Sequence, residues 1–208
     1  DVYYLSGYTK AFWKHGDGEP MLFFYKGKSM KGINVVMKRD ISDEERFHDK
    51  LKKGQYYDLV TPYGYGGWLL EGEGEISELI SEYEQWCYNE RIVSEFVRFH
   101  PMLDNQKGLE ESYEIINFGK TIAMDLSSAE TIWANITSKN RNMIRKAQKH
   151  NFRICKAQST EIYESFKEIY DQTMCRDSAK TYYYFEKEFY DCVEKDLSDH
   201  AQVFYVQT

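Results

Sequence analysis

Between Thr61 and Asn105 the chain changes its backbone preference three times. A β-rich run delivers Thr-Pro-Tyr-Gly-Tyr-Gly-Gly (Thr61 to Gly67), an amphipathic stretch follows, and Val-Arg-Phe-His-Pro-Met-Leu-Asp-Asn (Val97 to Asn105) closes the segment. Gly64 and Gly66 flank Tyr65, where the lack of a Cβ permits positive φ and a close approach of backbone amides to a partner. Arg98 and His100 stand at the end of a second strand that Pro101 stops. Polar groups at a strand end beside a glycine loop mark a pocket rim.

Around this segment the hydrophobic periods sketch a mixed architecture. Met21 to Lys26 and Gly32 to Lys38 are β-rich runs broken at Gly27, Lys28 and Ser29, which predicts an antiparallel pair, and Tyr56 to Thr61 predicts a third strand. The charged stretch from Ser42 to Gln55 reads as a loop, with a short helix within it as the alternative. From Ile76 the period becomes helical, with Leu79, Ile80, Tyr83, Trp86 and Cys87 on one face and glutamates on the other. Ile92 to Phe99 follows as a strand, and Tyr113 to Phe118 with Thr121 to Leu126 predicts a hairpin around Gly119. Ser127 and Glu130 form a capping-box pattern, and Thr137 or Ser138 opens a second short helix. A strand over Phe152 to Lys156, helices carrying Ile162 to Tyr170 and Phe185 to Val193, and a terminal strand complete the pattern. The expected fold class is α/β (α+β), a mixed, mainly antiparallel sheet flanked by helices. Strand, two helices and strand after a completed sheet read as a domain restarting, so one domain is expected over 1–150 and the truncated beginning of a second over 151–208.

Composition narrows the chemistry. With 208 residues, 42% of them hydrophobic, the chain can bury a sizeable core, and eighteen tyrosines favour sheets and aromatic-lined pockets. A net charge of −7 argues against a general nucleic-acid surface and against DNA as a partner. The four cysteines are scattered without a C-x-x-C pair, and the five histidines show no helical pairing, so neither a disulfide framework nor a metal site is expected. No apolar run approaches the roughly 20 residues of a membrane span, and no signal peptide is evident, which suggests a cytoplasmic protein. The final Gln202 to Thr208 reads as a strand cut mid-sheet, so a fragment of a longer chain is expected.

Thr131 to Thr160 carries no acid while holding Lys139, Arg141, Arg145, Lys146, Lys149, Arg153 and Lys156. Arg141, Arg145 and Lys149 at i, i+4, i+8 form a basic helical stripe that either holds phosphates or is a solvated face. The glycine loop is not a Walker A sequence, because no Gly-Lys-Ser/Thr follows, nor a Rossmann fingerprint, because Trp68, Leu69 and Leu70 replace the helix start. A tight turn with its tyrosines packed on the sheet remains the alternative. Arg176, ahead of the aromatic cluster Tyr182 to Phe185, is expected in a break between helices and is a further binding candidate. No nucleophile elbow is present, and Cys155 and Cys192 fall on apolar faces, so nothing points to covalent catalysis.

Taken in order, Pro62-Tyr63-Gly64-Tyr65-Gly66-Gly67, Arg98-Phe99-His100-Pro101 with Asn105, Lys139-Asn140-Arg141-Asn142 continuing through Arg145 and Ala147, and Tyr183-Tyr184-Phe185 resemble the Fem family of peptidoglycan interpeptide-bridge aminoacyltransferases. That resemblance covers most of the chain and implies tandem GNAT-like acyl-CoA N-acyltransferase folds. It also implies transfer of an aminoacyl or acyl group to an amine of a peptidoglycan precursor or related polar acceptor. The co-substrate would be aminoacyl-tRNA or acyl-CoA, with no tightly bound cofactor and with peripheral contact to a membrane-linked precursor. On this reading Tyr63, Gly64, Tyr65, Gly66, Gly67, Arg98, His100, Asn105, Lys139, Arg141, Arg145 and Arg176 bind substrate, while the catalytic group is unassigned. Two departures leave the donor open. The pyrophosphate loop of ordinary acetyltransferases is missing from the chain, and the family's aromatic motif is not clear around Tyr8 to Trp13. An acyl-CoA-dependent N-acyltransferase acting on a sugar precursor and a non-catalytic carbohydrate or peptide module are the alternatives.

Overall fold

Strand β2 (Met30–Asp40) organises the molecule in the computed structural model, which describes residues 1–150 and 152–207. Asn34, Val35, Val36 and Met37 are all buried on consecutive positions, the pattern of a strand covered on both faces. Strand β1 (Glu19–Lys26) pairs antiparallel along one edge of β2, from Glu19 opposite Lys38 to Lys26 opposite Lys31. On the other edge, β3 (Tyr57–Val60) pairs antiparallel with Met37–Asp40, and the short β4 (Leu69–Gly72) with Met30–Ile33. The expected meander is therefore present, and β4 is an addition to it. Four residues beginning Leu-Leu leave too little alternation to read as a strand before the partner is known.

Helix α2 (Ile76–Asn89) crosses the sheet and returns the chain as β5 (Ile92–Phe96), which pairs in parallel with β3. The sheet order is β1-β2-β3-β5. This is a mixed, mainly antiparallel sheet flanked by helices, as the periods indicate. Leu79, Ile80 and Tyr83 of α2 are buried against Met30, Val36, Leu59, Trp68 and Leu109, so the apolar helical face and the central strands make one core.

Helix α1 (Ser6–His15) was not evident from the sequence, where Gly7, Thr9 and mixed aromatics dilute the period. It packs against α6 (Lys187–Asp196), with the rings of Phe12 and Phe189 5.2 Å apart. A Cβ at Gly7 would lie 2.8 Å from that of Asp196, so the missing side chain allows the two helices to approach. Between these ends lie α3 (Ala129–Asn135), α4 (Ser138–Gln148), β6 (Arg153–Ala157) and α5 (Thr160–Arg176), and β7 (Val203–Gln207) follows α6 and forms a separate antiparallel pair with β6.

Three local expectations are corrected. Tyr113 to Phe118 and Thr121 to Leu126 form no hairpin, because neither apolar run finds a ladder partner among the described residues. Ile122 is 98% exposed there, so alternation without a neighbouring strand does not produce one. The N-cap of α3 is Ser128 rather than Ser127: the Ser128 hydroxyl accepts from the Thr131 amide at 3.1 Å, while the Ser127 amide donates to Asp125. Thr137 caps α4 as one of the two expected residues. Arg176 closes α5 instead of lying between helices.

Candidate functional site

The glycine loop joins β3 to β4 and turns on positive φ at Gly64 (109°) and Gly67 (94°), whereas Gly66 has ordinary φ and is required by space, since a Cβ there would meet the Thr61 methyl at 2.8 Å. What the loop approaches is the chain's own first turn. Gly64 lies against the Tyr3 ring, the Tyr4 hydroxyl donates to the Gly67 carbonyl at 2.9 Å, and the Tyr8 hydroxyl donates to the Tyr63 carbonyl. Tyr65 packs edge-on to Tyr3, 5.7 Å between centroids.

Asn105 stitches this loop to the exit of β5. Its amide donates to the Gly66 and Trp68 carbonyls at 2.9 and 3.2 Å, and its oxygen accepts from the His100 amide at 2.9 Å. The His100 ring is equally occupied. Its Nδ1 accepts from the Met102 amide, which assigns the ring proton to Nε2, 2.8 Å from the Asp1 carboxylate. His100, Asn105 and the three glycines thus come together, and every polar atom just described is bonded to protein. These bonds tie the glycine loop to the chain leaving β5.

Arg98 differs from them. Its backbone is held by Thr61 and Gly66, but its guanidinium lies over the Phe96 ring at 5.1 Å and forms no ion pair among the described residues. It lines two clefts at once, of about 830 Å³ and about 1180 Å³. The smaller is walled by Asp17, Tyr57, Tyr63 and Tyr182, and its floor carries the cross-strand Arg39–Asp58 pair, bidentate at 2.9 and 2.6 Å. Burial pushes the Asp17 carboxyl above its ordinary value, opposed by the Tyr182 hydroxyl 2.9 Å away and by the charges of His15, Arg39 and Arg98.

The larger cleft runs between α2, β5 and residues 112–121, and it contains a carboxyl that no motif in the sequence singles out. Glu95 sits mid-strand with one carboxylate oxygen accepting from the Tyr113 hydroxyl at 2.7 Å and the other from the Asn34 amide at 3.2 Å. Burial drives its pKa up despite these bonds. Tyr113 and Tyr83 are pushed far above the usual phenol range by burial and by Glu95, and Cys87 is pushed up to about 11, first by burial. The signal in the sequence was one ionisable residue inside the strand run Ile-Val-Ser-Glu-Phe-Val.

The basic segment stays apart. Arg141 donates to the carbonyls of Trp133 (3.2 Å), Ala134 (3.3 Å) and Ile136, closing the C-terminal end of α3, and Arg145 lies 5.3 Å over the Trp133 ring. Lys139 is exposed, Arg176 pairs with Asp177 at 3.3 Å, and none of these four residues lines either cleft. Among the described residues no cluster of three or more His, Cys, Asp or Glu side chains could hold a metal ion, and no helix is long and apolar enough to cross a membrane.

No protein-family model, curated protein or solved structure matches this chain.

Proposed function

We propose that this chain is an acyltransferase of the Fem-like, GNAT-fold kind, moving an aminoacyl or acyl group from aminoacyl-tRNA or acyl-CoA onto an amine of a cell-wall precursor at the cytoplasmic face of the membrane. The observation that carries this reading is the pair of clefts sharing Arg98 where β3 and β5 part. Thr61 still bonds to the Phe96 carbonyl at 3.1 Å, after which residues 62–65 bulge away before Gly66 rejoins the Arg98 carbonyl at 2.9 Å. The meander, the crossing helix and the returning parallel strand support the GNAT-like part of this reading.

Two substrates entering from two clefts would meet beside Arg98. Aminolysis of an activated ester or thioester needs alignment of amine and carbonyl, a positive group for the developing oxyanion and a proton acceptor, but no covalent nucleophile. Arg98 is the group free to face the oxyanion. The aromatic wall of Tyr57, Tyr63 and Tyr182 favours a second reading, a carbohydrate- or peptide-binding module, since such faces stack on sugars and peptides.

Transfer of labelled acyl groups from acetyl-CoA and from charged tRNA to a nucleotide-linked muropeptide tests the proposal. Turnover is expected, and Arg98→Ala should lower kcat about 100-fold. Binding of the muropeptide without turnover would replace the transferase by the module.

A further inference from the structure

The central sheet ends at β1, which pairs with β2 alone among the described residues and leaves its other edge open. Met21, Phe23 and Tyr25 pack onto the core under α2, whereas Leu22 and Phe24 on the opposite face are 65% and 62% exposed and line neither cleft. The backbone is as open as the side chains. The Gly27 amide donates to the Met30 carbonyl at 2.9 Å, which sets the phase of the β1–β2 ladder. Because hydrogen-bonded pairs alternate along an antiparallel ladder, Met21, Phe23 and Tyr25 direct their amides and carbonyls to β2, and Leu22, Phe24 and Lys26 direct theirs outward. Pro20 falls in the outward set too, the position where a missing N–H leaves the ladder intact. A long edge with apolar side chains is a template for another strand.

We propose that two copies of this chain pair β1 against β1, antiparallel about a two-fold axis midway between their Phe23 residues, and so join their sheets into one. In that register Leu22 of each copy stands opposite Phe24 of the other, on one face and in a hydrogen-bonded pair, so the exposed apolar side chains cover one another. The Lys26 amide meets the Pro20 carbonyl of the other copy, and the donor that Pro20 lacks falls at the end of the new ladder. Sliding the strands by two residues sets either Pro20 against Phe24 or Lys26 against Leu22, and each loses part of this match.

Charge sets the direction of the pairing. Glu19 opens the strand, Lys26 closes it and Lys28 follows in the turn, and none of the three forms an ion pair among the described residues. Antiparallel order brings the basic end of one copy beside the acidic end of the other, whereas parallel order sets like charges together. A two-fold contact uses both β1 edges and stops at two copies, while β1 of one copy against β5 of the next would leave free edges and grow. The association is independent of the transferase reading.

Sedimentation velocity and light scattering of the chain over about 1 to 100 μM, where a small interface dissociates, test the proposal. The mass should rise with concentration from that of one chain to that of two. Phe24→Glu should raise the dissociation constant by about 30-fold or more, as loss of a central interface contact does, with the far-ultraviolet circular dichroism unchanged because the ring is exposed. Lys26→Glu combined with Lys28→Glu should weaken pairing about tenfold, and adding Glu19→Lys should restore it. The mass of one chain at every concentration overturns the proposal, and so does growth past two copies. Self-association that neither Phe24→Glu nor the lysine reversal weakens lies on another surface and overturns it as well. Reversal without rescue by Glu19→Lys overturns the antiparallel order. If Phe24→Glu fails to fold, the charge series decides alone: rescue upholds the pairing, and indifference to reversal overturns it.

Discussion

At Glu95 two hydrogen bonds favour the carboxylate and burial opposes it, and burial prevails. An acid whose folded pKa is raised lends its stability below the ordinary Glu value of about 4.3, and that stability is lost as pH rises through the folded value. Glu95→Gln should therefore unfold at higher urea concentration than the parent near pH 7, and the difference should close towards pH 4 (about the unfolded Glu value). Equal midpoints at both pH values would show that the carboxyl is not desolvated. Gly64 illustrates the opposite kind of constraint. With φ of 109° and the Tyr3 ring against it, Gly64→Ala meets both backbone strain and a clash, for an expected loss of about 3 kcal/mol in a urea titration. That a glycine was needed here was readable in the sequence. That the object approached is Tyr3 was not, because sixty positions of chain separate the two and only the sheet closes that distance.

Among the elements, α2 was the most legible, since a period of 3.6 with glutamates opposite is a local property. Its Leu79 is 1% exposed in the core, and Leu79→Ala should cost about 3 kcal/mol, checked by chemical denaturation. The α3–α4 pair was legible as helices and not as a site. The stripe Arg141, Arg145 and Lys149 has the spacing of an anion cradle, but Arg141 is turned back onto α3 and Arg145 onto Trp133. Arg141→Ala should loosen α3 and α4, seen as faster amide exchange in residues 129–148, with no change in the strands of the central sheet. Spacing places side chains on one face of a helix, and the neighbouring element decides what that face meets. The segment 114–127 failed for the same reason, as its alternation lacks a strand to pair with.

At the scale of the whole molecule, α1 and α6 join the first and last parts of the described chain. Phe12 is 4% exposed and stands among Tyr8, Tyr63, Phe185 and Phe189. Phe12→Ala should cost about 3 to 4 kcal/mol, and hydrogen exchange should show α6 opening together with α1. Protection lost in α1 alone would mean that the helices are not one cooperative unit. The neighbouring Lys10–Asp196 pair, 2.7 Å long and solvent-exposed, adds little to this seam. The amino-acid sequence by itself determined the meander, the crossing helix and most of the later helices and strands, because turn residues, caps and hydrophobic periods act within a few positions. Tertiary structure alone decided which partner the glycine loop meets, where Arg141 points, and that Glu95 accepts hydrogen bonds from Asn34 and Tyr113. Those outcomes depend on β2 lying at the centre of the sheet and on α2 carrying the chain back beside β3, contacts between residues far apart in the chain whose energies no local pattern encodes.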